Sequence, residues 1–445
     1  MGRRSNEANR RPKSLPTFSS KLKRSELSRE GYLPFYLRFR VAIAATLFNL
    51  IAVSSVLAAP HGGSVVGGAS TITGAGTGAV QIDQATQRSI IDWRSYSIGV
   101  GESVTYRQPN ASAISLNRVT GGDPSQILGA LNANGQVWLV NPSGIMFGST
   151  AQVNVAGLIA STTNISNSDF MAGSFDFNEA TSSRGAVVLN AGDITVADGG
   201  LVAFVAPGVG NTGSIIANLG RVDLVSGDTF VFDFFGDGLI HLTASEEQIN
   251  QLTAADGTNL GARIIQSGEI HADGGLVALR VQDARSLVEN SINMDGVIRA
   301  KAVTKKGGSI ILSGGDSGSV VVTGTVDASG TDTGQTGGSV KILGDKVGLF
   351  GDAHITTSGT EGGGEILVGG NKLGQGPEQN ASITIISTDV TISADASEDG
   401  RGGKVIVWSD EYTKFSGEIT ARGGENSGDG GFIETSSKGR LDVVG

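Results

Sequence analysis

GGSIILSGG, at residues 307–315, is the stretch that decides the fold. Two glycines lead into a short aliphatic run, and two more glycines end it. Glycine favours turns whereas Ile and Val favour strands, so the stretch predicts one short strand between two corners. Related stretches recur downstream; they are GGSVKILGD at 337–345, GGEILVGG at 363–370 and GGKVIVWSD at 402–410.

A second series of short apolar runs alternates with the first. Its members are GVIRAKA at 296–302, GTVDASG at 324–330, AHITTSG at 353–359 and GEITARGG at 417–424. Equivalent residues, such as Gly308 and Gly338 or Ile298 and Val326, recur 26 to 30 positions apart. A repeat of this length holds two or three short strands and is too short for a propeller blade. The sequence therefore predicts an all-β fold, a right-handed parallel β-helix in which like residues stack over one another.

The repeat length also predicts the size of the solenoid. Coils of about 20 to 28 residues, stacked about 4.8 Å apart, would make about 14 to 19 coils and a rod of about 65 to 90 Å. Two short helices are predicted, at Pro124–Leu131 and Ser245–Leu252. The chain closes on GRLDVVG, at 439–445, in the middle of the repeat pattern. We therefore expect it to be a fragment of a longer protein.

The beginning of the solenoid is predicted to carry an N-terminal cap. The end of a stack of coils exposes unpaired strand edges, and repeat proteins cover such ends. Residues 60–130 are less regular than the later repeats and contain Trp93, Tyr96 and Tyr106. We expect these aromatic residues to belong to the cap.

Charge and composition predict an exported protein. Residues 1–40 carry eleven Lys or Arg and three Glu, whereas the whole chain has a net charge of −10. The basic stretch precedes the uncharged run VAIAATLFNLIAVSSVLAA at 41–59, which is the pattern of a signal peptide cleaved near Ala58 or Ala59. A membrane anchor is the alternative, because 19 apolar residues can span a bilayer. The absence of cysteine excludes disulfides, and the acidic body argues against nucleic acid as a partner.

The segment NPSGIMFG, at 141–148, is the candidate functional motif. Pro142 and Gly144 occupy the second and fourth positions of a predicted type I turn between two alternating strands. The simplest interpretation is that this turn is one corner of a coil. Longer segments around it carry a more specific signal; they are QIDQATQRSIIDWRSYSIGVGESVTY at 81–106, the region 125–148, QVNVAGLIAST at 152–162 and the region 197–228.

Together these segments resemble the N-terminal secretion domain of the filamentous haemagglutinin family, the exported partners of two-partner secretion systems. The resemblance is close over about residues 62–300 and implies three parts: an extended signal peptide at 1–59, a secretion domain at 60–300 and Gly-rich β-helix repeats at 301–445. It also implies that a secretion motif is formed by Asn141, Pro142, Ser143 and Gly144. Ser143 stands where the family motif often has Asn.

The resemblance further implies the partners and the location of the protein. A dedicated outer-membrane transporter would export the chain, and the product would be secreted or held at the surface of a Gram-negative bacterium. There it would act as an adhesin towards a host or neighbouring cell surface. No cofactor is implied. A β-helical polysaccharide-degrading enzyme and the stalk of a larger toxin-delivery protein remain the alternatives.

Other motifs carry weaker signals. GVGNTG, at 208–213, fits a nucleotide-binding pattern, but no helix is expected after it. Ser317 lies in an Asp-Ser-Gly sequence like a protease nucleophile loop, but none of the histidines His61, His241, His271 and His354 has the sequence context of a catalytic base. Candidate acids for a polysaccharide-cleaving site are Asp228, Asp233 and Asp237. Calcium is a further alternative because DGG sequences recur.

Overall fold

The protein is described by a computed structural model that covers residues 59–179, 185–227, 229–232, 240–243, 260–281, 290–305 and 307–444, together with Leu252. Of the predicted signal peptide, only Ala59 lies in this part. The described strands from the first half are β1 Ser64–Gly67, β2 Ser70–Thr73, β3 Ala79–Gln84, β4 Arg88–Trp93, β5 Ser103–Arg107, β6 Ile114–Val119, β7 Ser125–Ile127, β8 Ala130–Ala133, β9 Gln136–Val140, β10 Ile145–Phe147, β11 Gln152–Val155, β12 Gly157–Ser161, β13 Phe175–Phe177, β14 Val187–Asn190, β15 Asp193–Val196, β16 Leu201–Ala206, β17 Gly208–Asn211, β18 Ser214–Ile216, β19 Arg221–Ser226, β20 Thr229–Phe232 and β21 Ile240–Thr243.

The second half continues in the same style. Its described strands are β22 Ala262–Gln266, β23 Glu269–His271, β24 Leu276–Val281, β25 Asn290–Met294, β26 Val297–Arg299, β27 Ser309–Ser313, β28 Ser319–Val322, β29 Thr325–Asp327, β30 Ser339–Leu343, β31 Lys346–Leu349, β32 His354–Thr356, β33 Glu365–Val368, β34 Ile383–Ile386, β35 Thr391–Ser393, β36 Lys404–Val407, β37 Tyr412–Phe415, β38 Glu418–Thr420, β39 Phe432–Thr435 and β40 Arg440–Val443. Helix α1, Asn167–Ala172, and a 3-10 turn at Lys372–Gly374 complete the described elements.

Three long sheets wind around one axis. Sheet 1 has 13 strands and runs from β1 to β39, sheet 2 has 11 strands from β7 to β40, and sheet 3 has 13 strands from β2 to β38. Each coil passes through sheet 1, sheet 2 and sheet 3 in turn, as β9, β10 and β11 do before β12 returns to sheet 1. Apart from the first strands, neighbours are parallel. The predicted parallel β-helix is confirmed.

The two predicted series of repeats form two of the three sheets. In sheet 3, Ile298 pairs with Val326 and Val326 with Ile355. In sheet 1, Ser309 pairs with Ser339, which starts the next GG-led repeat. The inward side chains of the coils from β3 to β36 form one continuous hydrophobic core, since side chains alternate between the two faces of a strand. Stacking of like residues therefore fills the interior as the repeat pattern predicted.

The glycine before each sheet 1 strand from β16 to β39 is required by close approach of the backbone. A Cβ atom on Gly338 would lie 2.0 Å from the carbonyl oxygen of Gly308, and one on Gly364 would lie 2.1 Å from that of Gly338. These glycines form a column along the axis at the corner between sheets 3 and 1. Any side chain there would push adjacent coils apart.

The number of coils was overestimated from the sequence. Within the described residues the three sheets contain 11 or 13 strands, which is fewer than the 14 to 19 coils predicted. At the usual strand spacing, 13 strands span about 58 Å. The reason is that several coils carry long insertions. Leu201 pairs with Arg221, 20 positions later, but Arg221 pairs with Leu276, 55 positions later. The long insertions of the first half leave the stack between sheet 1 and sheet 2.

The predicted helix at Pro124–Leu131 is wrong. The segment forms β7 and the start of β8 in two different sheets. Ile127 and Leu131 both point into the core, with a tight corner at Gly129 between them. That corner reproduces the four-residue spacing of a helix face. The other predicted helix, Ser245–Leu252, lies outside the described residues except for Leu252.

The N-terminal cap is confirmed. Strand β1 pairs with β4 and β2 with β3, both antiparallel, so a reversed chain lies over the first coil. Beneath it, Trp93 and Tyr96 pack edge to face at 5.7 Å. Trp93 Nε1 and Tyr106 Oη both donate to Asn117 Oδ1, at 3.0 and 2.7 Å. Burial raises the pKa of Tyr96 and that of Tyr106, so both phenols stay neutral donors inside the cap.

Candidate functional site

The candidate motif is the corner that joins sheet 1 to sheet 2. Strand β9 ends at Val140 and β10 begins at Ile145, so the four motif residues make the whole connection. The Gly144 amide donates to the Asn141 carbonyl at 3.0 Å, which closes the predicted turn. Gly144 has φ of 107°, a conformation that other residues rarely adopt. A Cβ atom there would also lie 3.1 Å from the Val187 carbonyl of the next coil.

Asn141 is completely buried, and every polar atom of its side chain is used. Its Nδ2 donates to the Asp123 carbonyl at 3.0 Å and to Ser125 Oγ at 2.9 Å, both in the preceding coil. Its Oδ1 accepts from the Ser143 amide at 2.9 Å. The Asn141 amide itself donates to the Ser161 carbonyl of the following coil. Asn141 therefore ties three successive coils together.

Pro142 and Ser143 are the two motif residues that lie at the surface. Both are half-buried, and Ser143 Oγ donates to the Gly122 carbonyl at 2.8 Å. Serine thus fills the position where the family motif often has Asn, and it does so with a hydrogen bond to the neighbouring coil. A partner that meets the folded protein can touch Pro142 and Ser143, but it cannot reach the side-chain amide of Asn141.

An outer cover (residues 163–179, containing α1 and β13) leaves the stack at the same corner, one coil later. Its phenylalanines pack on the outward face of sheet 1, where Trp138 lies 4.7 Å from Phe175 and Phe177 stacks on Phe230 of β20 at 4.3 Å. These contacts form a second hydrophobic core outside the coil. Strands β13, β20 and β21 make a small antiparallel sheet over it.

Arg118 holds the outer cover in place. Its guanidinium donates to Asn164 Oδ1 at 2.8 Å, to the Ile165 carbonyl at 2.9 Å and to Asn167 Oδ1 at 2.9 Å. It also reaches Asp92 Oδ1 at 3.3 Å. Sequence analysis missed this cover, although the concentration of Phe in DFMAGSFDF, at 169–177, was a signal that the segment packs on something apolar.

The weaker motifs are parts of the coil. GVGNTG forms strand β17 and the corner after it, and β18 follows at Ser214 rather than a helix. Ser317 lies in the turn between β27 and β28. The ring nitrogens of His271 and His354 contact Glu269 and Thr391. Asp228, Asp233 and Asp237 lie outside the described residues. Within the described ranges, no group of three or more acidic or histidine side chains is placed to hold a metal ion, and no helix is long and apolar enough to cross a membrane.

Comparison with known proteins gives the family. The model of the TPS secretion domain matches residues 58–342, which includes the candidate corner and the outer cover. A crystal structure of the HMW1 secretion domain from Haemophilus influenzae superposes with a TM-score of 0.72 at 32% identity, covering 87% of this chain and 96% of that one.

Two relatives from Haemophilus influenzae are named as heme/hemopexin-binding proteins rather than as enzymes. One is 31% identical over 264 residues, which is 58% of this chain and 27% of the relative. The other is 38% identical over 125 residues, which is 28% of this chain and 14% of the relative. The chain thus spans about a quarter or less of these relatives. The match over residues 58–342 shows that this chain belongs to the TPS secretion domain family, whose members are secreted exoproteins of Gram-negative bacteria exported by two-partner secretion.

Proposed function

We propose that an outer-membrane transporter recognises this chain through residues 60–300 while the chain is still unfolded. The coils then stack outside the cell, and the resulting rod acts as a surface adhesin rather than as an enzyme. Recognition of the unfolded chain is supported by the complete burial of Asn141 in the folded one. A partner that binds the side-chain amide of Asn141 must do so before the corner forms, because in the folded chain both polar atoms of this side chain are already hydrogen-bonded.

Strand addition offers the transporter a second contact. Strands β1 and β2 each pair on one side only within the described residues. Residues 60–80 contain no Lys, Arg, Asp or Glu, the side chains that normally protect such edges. Once the first coils have formed outside the cell, an extended segment of the transporter would extend sheets 1 and 3 there by main-chain hydrogen bonds.

The first experiment measures release into the medium with and without the cognate transporter. The full chain is compared with Asn141→Ala and Ser125→Ala. Both substitutions break the bond between Asn141 Nδ2 and Ser125 Oγ, but only the first removes Asn141 from the unfolded chain. Recognition of the unfolded motif predicts that release falls for Asn141→Ala and persists for Ser125→Ala. Equal losses would leave the motif with a structural role only, and release without the transporter would overturn the export proposal.

The outward face of sheet 3 is the surface that we propose for adhesion. On two neighbouring strands of this face, β11 and β15, the outward side chains are polar and exposed; they are Gln152, Asn154, Asp193 and Thr195. Asn154 and Thr195 are neighbours in register, so their side chains form part of a flat polar surface. Binding of the purified secreted chain to cultured cells tests this proposal. Asn154→Arg should abolish binding, whereas Lys346→Glu on sheet 2 should not; equal binding by both would exclude this face.

The signal peptide is proposed to be cleaved near Ala58 or Ala59. Ala59 packs in the hydrophobic core at the start of the stack, so cleavage after Ala58 would keep this contact and cleavage after Ala59 would remove it. N-terminal sequencing of the released protein gives the cleavage site directly. A chain that stays in the membrane fraction and retains residues 41–58 would favour the membrane-anchor alternative.

A further inference from the structure

A strap (residues 369–381) crosses the outward face of sheet 1 in the later coils. It leaves after β33 and returns to β34, so it occupies the same corner as the Asn141 motif several coils further on. Leu367, Ile406 and Trp408 are buried as a separate apolar cluster. Gly370 and Gly374 lie so close to the Trp408 ring that a Cβ on either would come within 2.7 Å of it.

Polar contacts join the strap to strands β30, β36 and β39 of sheet 1, and the strap itself leaves from the end of β33, the strand between β30 and β36. Glu378 Oε1 accepts from Lys341 Nζ of β30 at 2.9 Å, and Glu378 Oε2 accepts from Asn371 Nδ2 at 2.7 Å within the strap. Lys404 Nζ of β36 reaches Asn371 Oδ1 at 3.1 Å and Glu365 of β33 at 3.1 Å.

We call these strap contacts anchors, and the last anchor involves the residue furthest along the chain. The Leu373 amide donates to Glu434 Oε1 of β39 at 3.0 Å. Strands β30, β33, β36 and β39 are consecutive neighbours in sheet 1, so the anchors span about 14 Å along the axis.

The backbone of the strap does not favour its closed shape. Leu373 has φ of 56° although it is a leucine and more than half exposed, a conformation that is unfavourable for a residue with a Cβ atom. Four glycines of the strap also have positive φ; they are Gly369, Gly370, Gly374 and Gly376. Such a segment has high conformational freedom when it is free. Contacts with β30, β36 and β39 and with the Trp408 ring must therefore supply the free energy that orders the strap.

We propose that the strap is an axial latch. It closes only when the coils that carry Lys341, Trp408 and Glu434 are stacked, and once closed it slows their separation. Because Glu434 lies 61 positions after Leu373, the latch stays open until a later coil has formed. Under the proposed function, closure outside the cell would oppose backward movement of the chain; this consequence alone rests on that function.

The test uses the purified full chain and needs no transporter. Lys341→Met and Glu434→Ala each remove one anchor, and their double variant removes both. Unfolding is followed by hydrogen exchange at the amides of β30, β33 and β36, with those of β6 and β9 as internal reference. Lys346→Met, an exposed lysine of β31 outside the strap contacts, is the matched control. We expect each single variant to speed exchange of the three strands about tenfold, the loss of one hydrogen bond to a charged group.

The double variant separates a latch from two independent contacts. A latch that opens at either end is already open in each single variant, so the double variant should be no faster than the faster single one. Multiplied rates, about a hundredfold, would overturn the proposal. So would faster exchange within the strap while β30, β33 and β36 exchange at the original rate. Should Lys341→Met not fold, Glu434→Ala alone still decides, because an unchanged rate in β30 excludes coupling through the strap.

Discussion

Asn141 and Ser125 are joined across two adjacent coils by a buried hydrogen bond of 2.9 Å between Asn141 Nδ2 and Ser125 Oγ. Neither side chain contacts solvent. The corner at residues 141–144 is thus a structural element of the folded coil, and recognition of the Asn141 side chain would require the unfolded chain.

Asn141→Ala should lower the free energy of unfolding of the surrounding coils by about 1–3 kcal/mol, because it leaves the Ser143 amide and the Asp123 carbonyl without their buried partner. Ser125→Ala should cost less, since Asn141 keeps its other bonds. Local hydrogen exchange of β9 and β10 measures both effects. Asn154→Ala, an exposed asparagine of the same coil, is the control and should be neutral. A neutral Asn141→Ala would contradict the structural role.

Gly338→Ala should prevent regular stacking at its corner, because the new Cβ would lie 2.0 Å from the Gly308 carbonyl oxygen. We expect loss of more than about 3 kcal/mol or failure to fold, seen as protease sensitivity near residue 338. Gly78→Ala is the matched control, since its Cβ would find only Glu102 at 3.8 Å. Similar behaviour of the two variants would contradict the role of the glycine column.

Arg118→Met should release the outer cover from the face of sheet 1. Three hydrogen bonds to residues 164–167 are lost, while the aliphatic part of the side chain keeps its packing. Limited proteolysis should then cut within residues 163–179 several times faster. Arg107→Met is the control, because Arg107 is largely exposed and reaches only Asp83, at 3.9 Å. An unchanged cleavage pattern would show that the phenylalanines alone hold the cover.

The strap should loosen in acid. Burial raises the pKa of the Glu378 carboxyl, but hydrogen bonds from Lys341 and Asn371 outweigh it and hold this pKa below its ordinary value. A carboxyl with a lowered folded-state pKa stabilises the fold above its unfolded pKa, about 4.3, and this stabilisation is lost as pH falls through the folded-state value. Hydrogen exchange of the strap between pH 7 and pH 3, corrected for intrinsic rates, should show this loss. Glu378→Gln should remove the pH dependence; if the dependence persists, another group causes it.

A chain that ends after residue 300 should still be released in a transporter-dependent manner. Strand β26 ends at Arg299, so this truncation removes whole coils and leaves the preceding ones complete. The comparison is a chain that ends after residue 342, the limit of the family match. Release of the longer chain alone would move the end of the secretion domain beyond 300. The sheets themselves run through this point, so the division concerns export and not packing.

The period of the stack was predictable from the sequence. Ile298, Val326 and Ile355 recur at the spacing of one coil, and each pairs with the next in sheet 3. Alternation along a short strand and glycine at a corner are local properties, so they can be recognised in the sequence before the fold is known. The Asn141 turn was predictable for the same reason, because Pro142 and Gly144 determine it within four residues.

The burial of Asn141 was not predictable, because its partners Asp123 and Ser125 belong to another coil. The same holds for the outer cover and the strap. Arg118 meets residues 164–167, and Glu434 meets Leu373, only after coils that are far apart in sequence have stacked. By itself the sequence determined an all-β solenoid and its corners, including the turn at residues 141–144, since these follow from local periodicity. The tertiary structure alone decided which long insertions fold back on sheet 1 and which polar groups hold them, because those contacts depend on where the axis brings distant residues together.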